Sequence, residues 1–113
     1  MKLTREQAIA EHRKMWYWIA EETIKRQEKV HPDEYLNTFF PNRTIMSHGF
    51  CCEYDRQFNN DCAHCPIEWD PDEKDSCCNN YNGSFYLGWA YTSNWQEAAK
   101  YARQIAELPE RML

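Results

Sequence analysis

Every cysteine of this 113-residue chain falls between positions 51 and 78: Cys51, Cys52, Cys62, Cys65, Cys77 and Cys78. The stretch reads H-G-F-C-C-E-Y from His48, then C-A-H-C-P-I-E-W, an acidic run, and C-C. Cys62 and Cys65 form a C-x-x-C turn that lets two thiolates converge on one ion, and each flanking doublet can supply one more. The spacing predicts a tetrahedral zinc site built from one of Cys51/Cys52, then Cys62 and Cys65, then one of Cys77/Cys78. His48, three residues before Cys51, is an alternate ligand, although a loop histidine on the surface is the simpler reading.

Three rival chemistries use the same residues. A disulfide framework needs an oxidising compartment. The opening M-K-L-T-R-E-Q-A enters a charged amphipathic pattern with no apolar signal region, which argues for the cytoplasm. Adjacent cysteines also bond to each other only with strain, so each doublet would need two distant partners. A redox C-x-x-C has support in His64, which lies between the thiols, but that motif normally opens a helix, and here Pro66 follows. An iron–sulfur cluster would take the same ligands as zinc.

The net charge of −5 is unevenly spread. From Met1 to Val30 seven Lys/Arg face five Glu, whereas from Glu53 to Asp75 eight acids face only Arg56 and Lys74. An acidic cysteine segment disfavours a phosphate-tracking surface there; a plain solvated loop is the bland alternative. Aromatic residues make up 15% of the chain, enough bulky apolar surface to support one small core. No apolar run approaches the ~20 residues of a membrane span.

Residues 4–30 read as one long helix. Thr4 and Gln7 form a capping box. Ala8, Ile9, His12, Met15, Trp16, Ile19, Ala20, Thr23, Ile24, Gln27 and Val30 follow at three- and four-residue steps. Trp16 and Trp18 point about 200° apart on such a helix, so either two elements pack against it or one aromatic edge is left for a partner. Pro32 ends this helix and opens a short second one with Pro32-Asp33-Glu34-Tyr35-Leu36, which Phe39, Phe40 and Pro41 end, the two phenylalanines serving as core plugs. Thr44–Met46 is a short strand candidate. Asn82-Gly83 signals a hairpin, and Phe85, Leu87, Trp89 and Tyr91 then alternate with Tyr86, Gly88, Ala90 and Thr92, the pattern of a strand. Gly88 and Ala90 leave the second face thin enough for a close neighbour. Ser93/Gln96 or Asn94/Glu97 caps a last helix, whose Ala98, Ala99, Ala102 and Ala106 permit close packing on the first.

No phosphate-binding glycine loop, nucleophile elbow, H-E-x-x-H pair or deaminase signature occurs. Any Cys/His nucleophile would take a thiolate from the metal, and four available thiolates predict a closed site rather than a catalytic one. The chain therefore reads as a non-enzyme.

The strings E-H-R-K-M-W-Y-W-I-A, C-E-Y-D, C-x-x-C-P-I-E-W and A-A-K-Y-A-R-Q-I-A-E-L-P resemble one group. It comprises the small cysteine-rich, zinc-finger-like proteins carried by phages and prophages of low-GC Gram-positive bacteria. In that group the ligand before C-E-Y is often part of a spaced cysteine pair. Here Gly49 stands in place of the earlier cysteine, so Cys52 matches and Cys51 is additional. The resemblance implies an accessory phage protein in the host cytoplasm that binds and inhibits a host or anti-phage defence protein.

The expected fold is α+β: a long N-terminal helix and a C-terminal helix packed around a four-cysteine zinc-knuckle segment and a short β-hairpin or small sheet, in a single zinc-stabilised domain over 1–113. The expected ligands are Cys52, Cys62, Cys65 and Cys78, with Cys51, Cys77 and His48 as alternates. The expected function is protein binding without catalysis, through Trp18, Tyr86, Trp69, Asp70, Asp72 and Glu73. Trp and Tyr dominate interface hot spots, and the acids would steer a basic partner. A homodimer seam is another use of Trp18 and Tyr86. The competing function classes are a nucleic-acid-binding or regulatory zinc module working through the basic residues of the first helix, and a phage sponge that stacks a nucleotide signal between aromatics.

Overall fold

A computed structural model describes residues 4–40, 54, 66–67 and 85–110, apart from the side chain of Tyr86. It contains four helices among these residues: α1 (Arg5–Arg26), α2 (Pro32–Phe39), α3 (Phe85–Tyr91) and α4 (Trp95–Ala106). The capping box at the start of α1 is complete: Gln7 N donates to Thr4 Oγ1 at 3.1 Å, and Thr4 N donates to Gln7 Oε1 at 2.9 Å. At α4 the cap is Asn94, whose side chain accepts from Glu97 N at 3.0 Å. Each arrangement satisfies donors that the first helical turn leaves without partners.

The α1 helix ends earlier than its periodicity suggests. Gln27 adopts the left-handed conformation at φ 56°, the usual helix-ending geometry but without the usual glycine. Val30 then turns inward, and its N–H donates to the buried Thr23 hydroxyl at 3.2 Å. Pro32 opens α2 at its first position, and the helix ends at Phe39, within the Phe39-Phe40-Pro41 stop expected from the sequence. Arg26 ties the junction together by bridging Glu22 on α1 and Glu34 on α2.

Helices α1 and α4 run antiparallel. His12 meets Ile105 near one end, while Ile24 lies beside Trp95 and Ala99 near the other. Ala98, Ala102 and Ala106 of α4 are fully buried, as are Ala8, Met15, Trp16, Ile19 and Ala20 of α1. The small α4 side chains let the two backbones approach, so that Trp16 and Met15 fill the space between them. Ile24 departs from the apolar stripe and is 49% exposed.

The α+β expectation is overturned. Of the segment read as a strand, Phe85–Tyr91 is helix α3, and the described residues contain no strand, only an isolated bridge from Ile67 to Glu110. Its i→i−4 bond from Thr92 N to Gly88 O measures 3.2 Å. Phe85, Leu87, Trp89 and Tyr91 do not share a buried face: Trp89 is buried, Leu87 partly so, and Phe85 and Tyr91 are exposed. An alternating run this short also fits helical spacing, because Phe85 and Trp89 are four apart. A helix satisfies its backbone within itself, whereas a strand needs a neighbour. A second correction concerns what lies at the centre: α1 and α4 pack directly on each other, not around a zinc knuckle. The strand candidate Thr44–Met46 and the Asn82-Gly83 turn lie outside the described residues.

The close approach anticipated at Gly88 is present, made by a helix. A Cβ at this position would stand 2.7 Å from two ring carbons of Tyr101 on α4. The missing side chain is what lets α3 lie against that ring.

Candidate functional site

The two tryptophans of M-W-Y-W sort onto opposite sides of α1. Trp16 is fully buried and meets Trp89 of α3 edge-on, with ring centroids 5.1 Å apart. Trp18 faces α2, partly buried, in edge contacts with Tyr35 at 5.4 Å and Phe39 at 5.9 Å. The Arg26 guanidinium lies 6.0 Å from the Trp18 ring centroid. Trp16 thus lies on the side of α1 that α4 covers, reached also by Trp89 of α3, and Trp18 lies on the side that α2 covers. Phe39 is 52% exposed despite these contacts, so the α2 aromatics continue to the surface. Phe40 packs partly buried against the core, as expected of a plug, whereas Phe39 is exposed and packs on Trp18 and Tyr35 instead.

Trp89 is the hub of a second aromatic group. His31 stands edge-on to it at 5.3 Å, and Lys29 Nζ lies 4.4 Å from its ring centroid. Lys29 also donates to the carbonyls of Ala90 at 3.1 Å and Thr92 at 3.0 Å. A cation placed at the end of α3 satisfies carbonyls that the helix cannot, and meets the negative end of its dipole. Partial burial lowers the Lys29 pKa. Nothing in the spacing of α1 announces this role, since Lys29 is one of seven basic residues in the first thirty.

His12 is fully buried between α1 and α4, where its Nε2 lies 3.1 Å from the Ile105 carbonyl oxygen. A carbonyl only accepts, so Nε2 carries the proton and donates. Burial lowers the pKa of this imidazole from 6.5 to about 4, with Arg13 adding in the same direction against the opposing effect of the Ile105 bond. At neutral pH His12 is a neutral donor to one of the last carbonyls of α4. Tyr35 bonds Glu11 at 3.4 Å, and its hydroxyl is pushed up to about 12 by burial and by the Glu11 charge.

The metal-ligand candidates Cys51, Cys52, Cys62, Cys65, Cys77, Cys78 and His48 lie outside the described residues, as do Trp69, Asp70, Asp72 and Glu73. Tyr86 belongs to α3, but its side chain lies outside them too. Among the described residues no group of His, Cys, Asp and Glu could hold a metal. Tyr54, two positions after Cys52, packs against the helical core. Pro66, immediately after Cys65, is fully buried, and Ile67 is 0% exposed and bridges Glu110 just beyond α4. Glu110 in turn pairs with Arg5 at 3.1 Å. The chain therefore returns to one helical body directly after the first doublet and again directly after the C-x-x-C.

Compared with protein-family models, curated proteins and solved structures, the chain gives no match. No helix among the described residues is long and apolar enough to cross a membrane.

Proposed function

We propose that this chain is a non-enzymatic binding protein whose cysteine segment closes around one zinc ion and is carried on the helical body. The observation that supports this most directly is the anchoring of Ile67. It is fully buried only two residues after Cys65, and Tyr54 packs on the same core two residues after Cys52. Tyr54 and Pro66 bracket the eleven residues 55–65 that carry Cys62 and Cys65, so both ends of that stretch start from the same body. Shorter loops cost less entropy to close, so the thiolates can meet around one metal ion at lower cost. Four thiolates complete a closed tetrahedral site with no open position for substrate, which suits a structural role. The proposed ligands are Cys52, Cys62, Cys65 and Cys78.

The proposed action is capture of a host or anti-phage defence protein, in keeping with the phage resemblance of the sequence strings. Trp69 with Asp70, Asp72 and Glu73 forms the contact region, together with the aromatic edges at Trp18 and Tyr86. Acids concentrated beside an aromatic anchor favour a partner with a basic patch. The test is affinity capture from host lysate with the zinc-loaded protein and with a Cys62→Ser/Cys65→Ser variant, each analysed for metal. A partner held in a salt-dependent way by the zinc-loaded chain, and released by the variant and by D70N/D72N/E73Q, supports the proposal. Equal capture by all three proteins refutes it.

A further inference from the structure

The surface between the C-terminal half of α1 and the start of α4 carries a groove of about 350 Å³, lined by Ile24, Trp95, Gln96, Ala99, Lys100 and Arg103. Its construction follows from helix periodicity. Trp95, Ala99 and Arg103 are four apart and form one line along α4, and Gln96 and Lys100 form the line beside it. The small Ala99 leaves a notch between the larger Trp95 and Arg103, with Ile24 of α1 as the opposite wall. Ile24 is 49% exposed and Trp95 partly so. The floor is thus apolar, and one rim carries two cations.

Arg103 acts on the Tyr17 hydroxyl beside Glu107 through its charge, without an ion pair. Among the described residues neither Lys100 nor Arg103 takes part in an ion pair. The acids nearest in sequence are committed elsewhere: Glu97 accepts from the Thr92 hydroxyl at 2.8 Å, and Glu107 accepts from the Tyr17 hydroxyl at 3.0 Å. A notch on a helix pair accepts a side chain from another helix packed ridge into groove. The unpaired cations beside it complement acidic neighbours of that side chain. Two cations are too few to track a nucleic-acid backbone, which needs a longer row of neutralised phosphates.

We infer that this groove docks an acidic amphipathic helix of a partner protein, with one large apolar side chain in the Ala99 notch and carboxylates against Lys100 and Arg103. This surface is opposite in sign to the acidic contact region proposed above. It also does not depend on whether the cysteines hold zinc, so each proposal can fail alone.

The test is selection of a displayed random-peptide library against the full chain, followed by amide mapping of the selected peptides by NMR. The expected consensus is an aromatic or aliphatic anchor with acids three or four positions away. The selected peptides should shift the amides of Ile24 and of residues 95–103. The K100E/R103E variant, altered at two exposed and unpaired positions, should bind them at least ~10-fold more weakly and select lysine-rich peptides in their place. A consensus without acids, peptides that map elsewhere, or nucleic acid displacing the peptides would overturn the inference. So would groove amides in the peptide-free protein that move with protein concentration, marking a second copy as the occupant. The same holds if they move on D70N/D72N/E73Q substitution, marking the chain's own acidic stretch.

Discussion

Acid should destabilise this protein through His12 before it protonates most carboxylates. The imidazole is fully buried, with a folded pKa of about 4 against 6.5 when free. Between those values the unfolded chain binds a proton that the folded chain refuses. Stability from this site is therefore fully present above pH 6.5, falls as the pH drops from 6.5 to 4, and changes no further below that. A separation of that size corresponds to about 3 kcal/mol, a large share of the roughly 5–15 kcal/mol that holds a domain folded. The clean comparison is with His12→Gln, which keeps a donor for the Ile105 carbonyl but does not titrate. Urea unfolding of both proteins from pH 7.5 to 4 gives the difference directly. Proton competition at the cysteines and carboxylates is common to both and cancels. The difference should move by about 3 kcal/mol toward the variant as pH falls, and the His12 ring signals should stay neutral in the folded protein down to about pH 5. A difference that is flat with pH, or a folded His12 titrating near 6.5, would refute the buried-neutral assignment.

Gly88→Ala should destabilise by about 1–3 kcal/mol although alanine is the better helix former, because its methyl meets the Tyr101 ring; thermal melts should show most of the loss recovered in Gly88→Ala/Tyr101→Ser. Lys29→Met keeps the stem over Trp89 but removes the charge and both carbonyl contacts; a loss of about 1–2 kcal/mol in denaturant titration is expected. Trp18→Ala should cost about 2 kcal/mol or more through its contacts with Tyr35 and Phe39, and near-normal stability would show that Trp18 is free to serve a partner alone. Chelation should lower the melting midpoint yet leave most of the far-UV helicity, since α1 and α4 pack on each other directly; collapse of all helical signal would place the metal at the centre of the fold.

What the sequence made legible was local. Thr4 with Gln7, Asn94 with Glu97 and Pro32 each encode a helix start within four residues, and the buried alanines of α4 encode a face that packs closely on α1. The misread segment, 84–92, is a place where two periodicities fit the same aromatics and long-range contacts decide. Tyr101 against Gly88, Trp16 against Trp89 and Lys29 at the carbonyls of Ala90 and Thr92 all come from distant parts of the chain. The end of α1 was missed for a related reason. Gln27 carries no glycine signal, and its left-handed turn accompanies the inward turn of Val30 onto Thr23. The groove was hidden because Ile24 matches the core stripe in spacing yet stays exposed beside Trp95 and Ala99, where the small Ala99 does not cover it.

The most direct test of the zinc-carrying binding module is metal content with thiol accounting on one native preparation. One zinc per chain is expected. Mercurial titration should release it as the thiolate ligands are modified, and Cys62→Ser or Cys65→Ser should abolish it. A protein that carries no metal and presents no free thiols would contradict the account, returning the six cysteines to a disulfide framework.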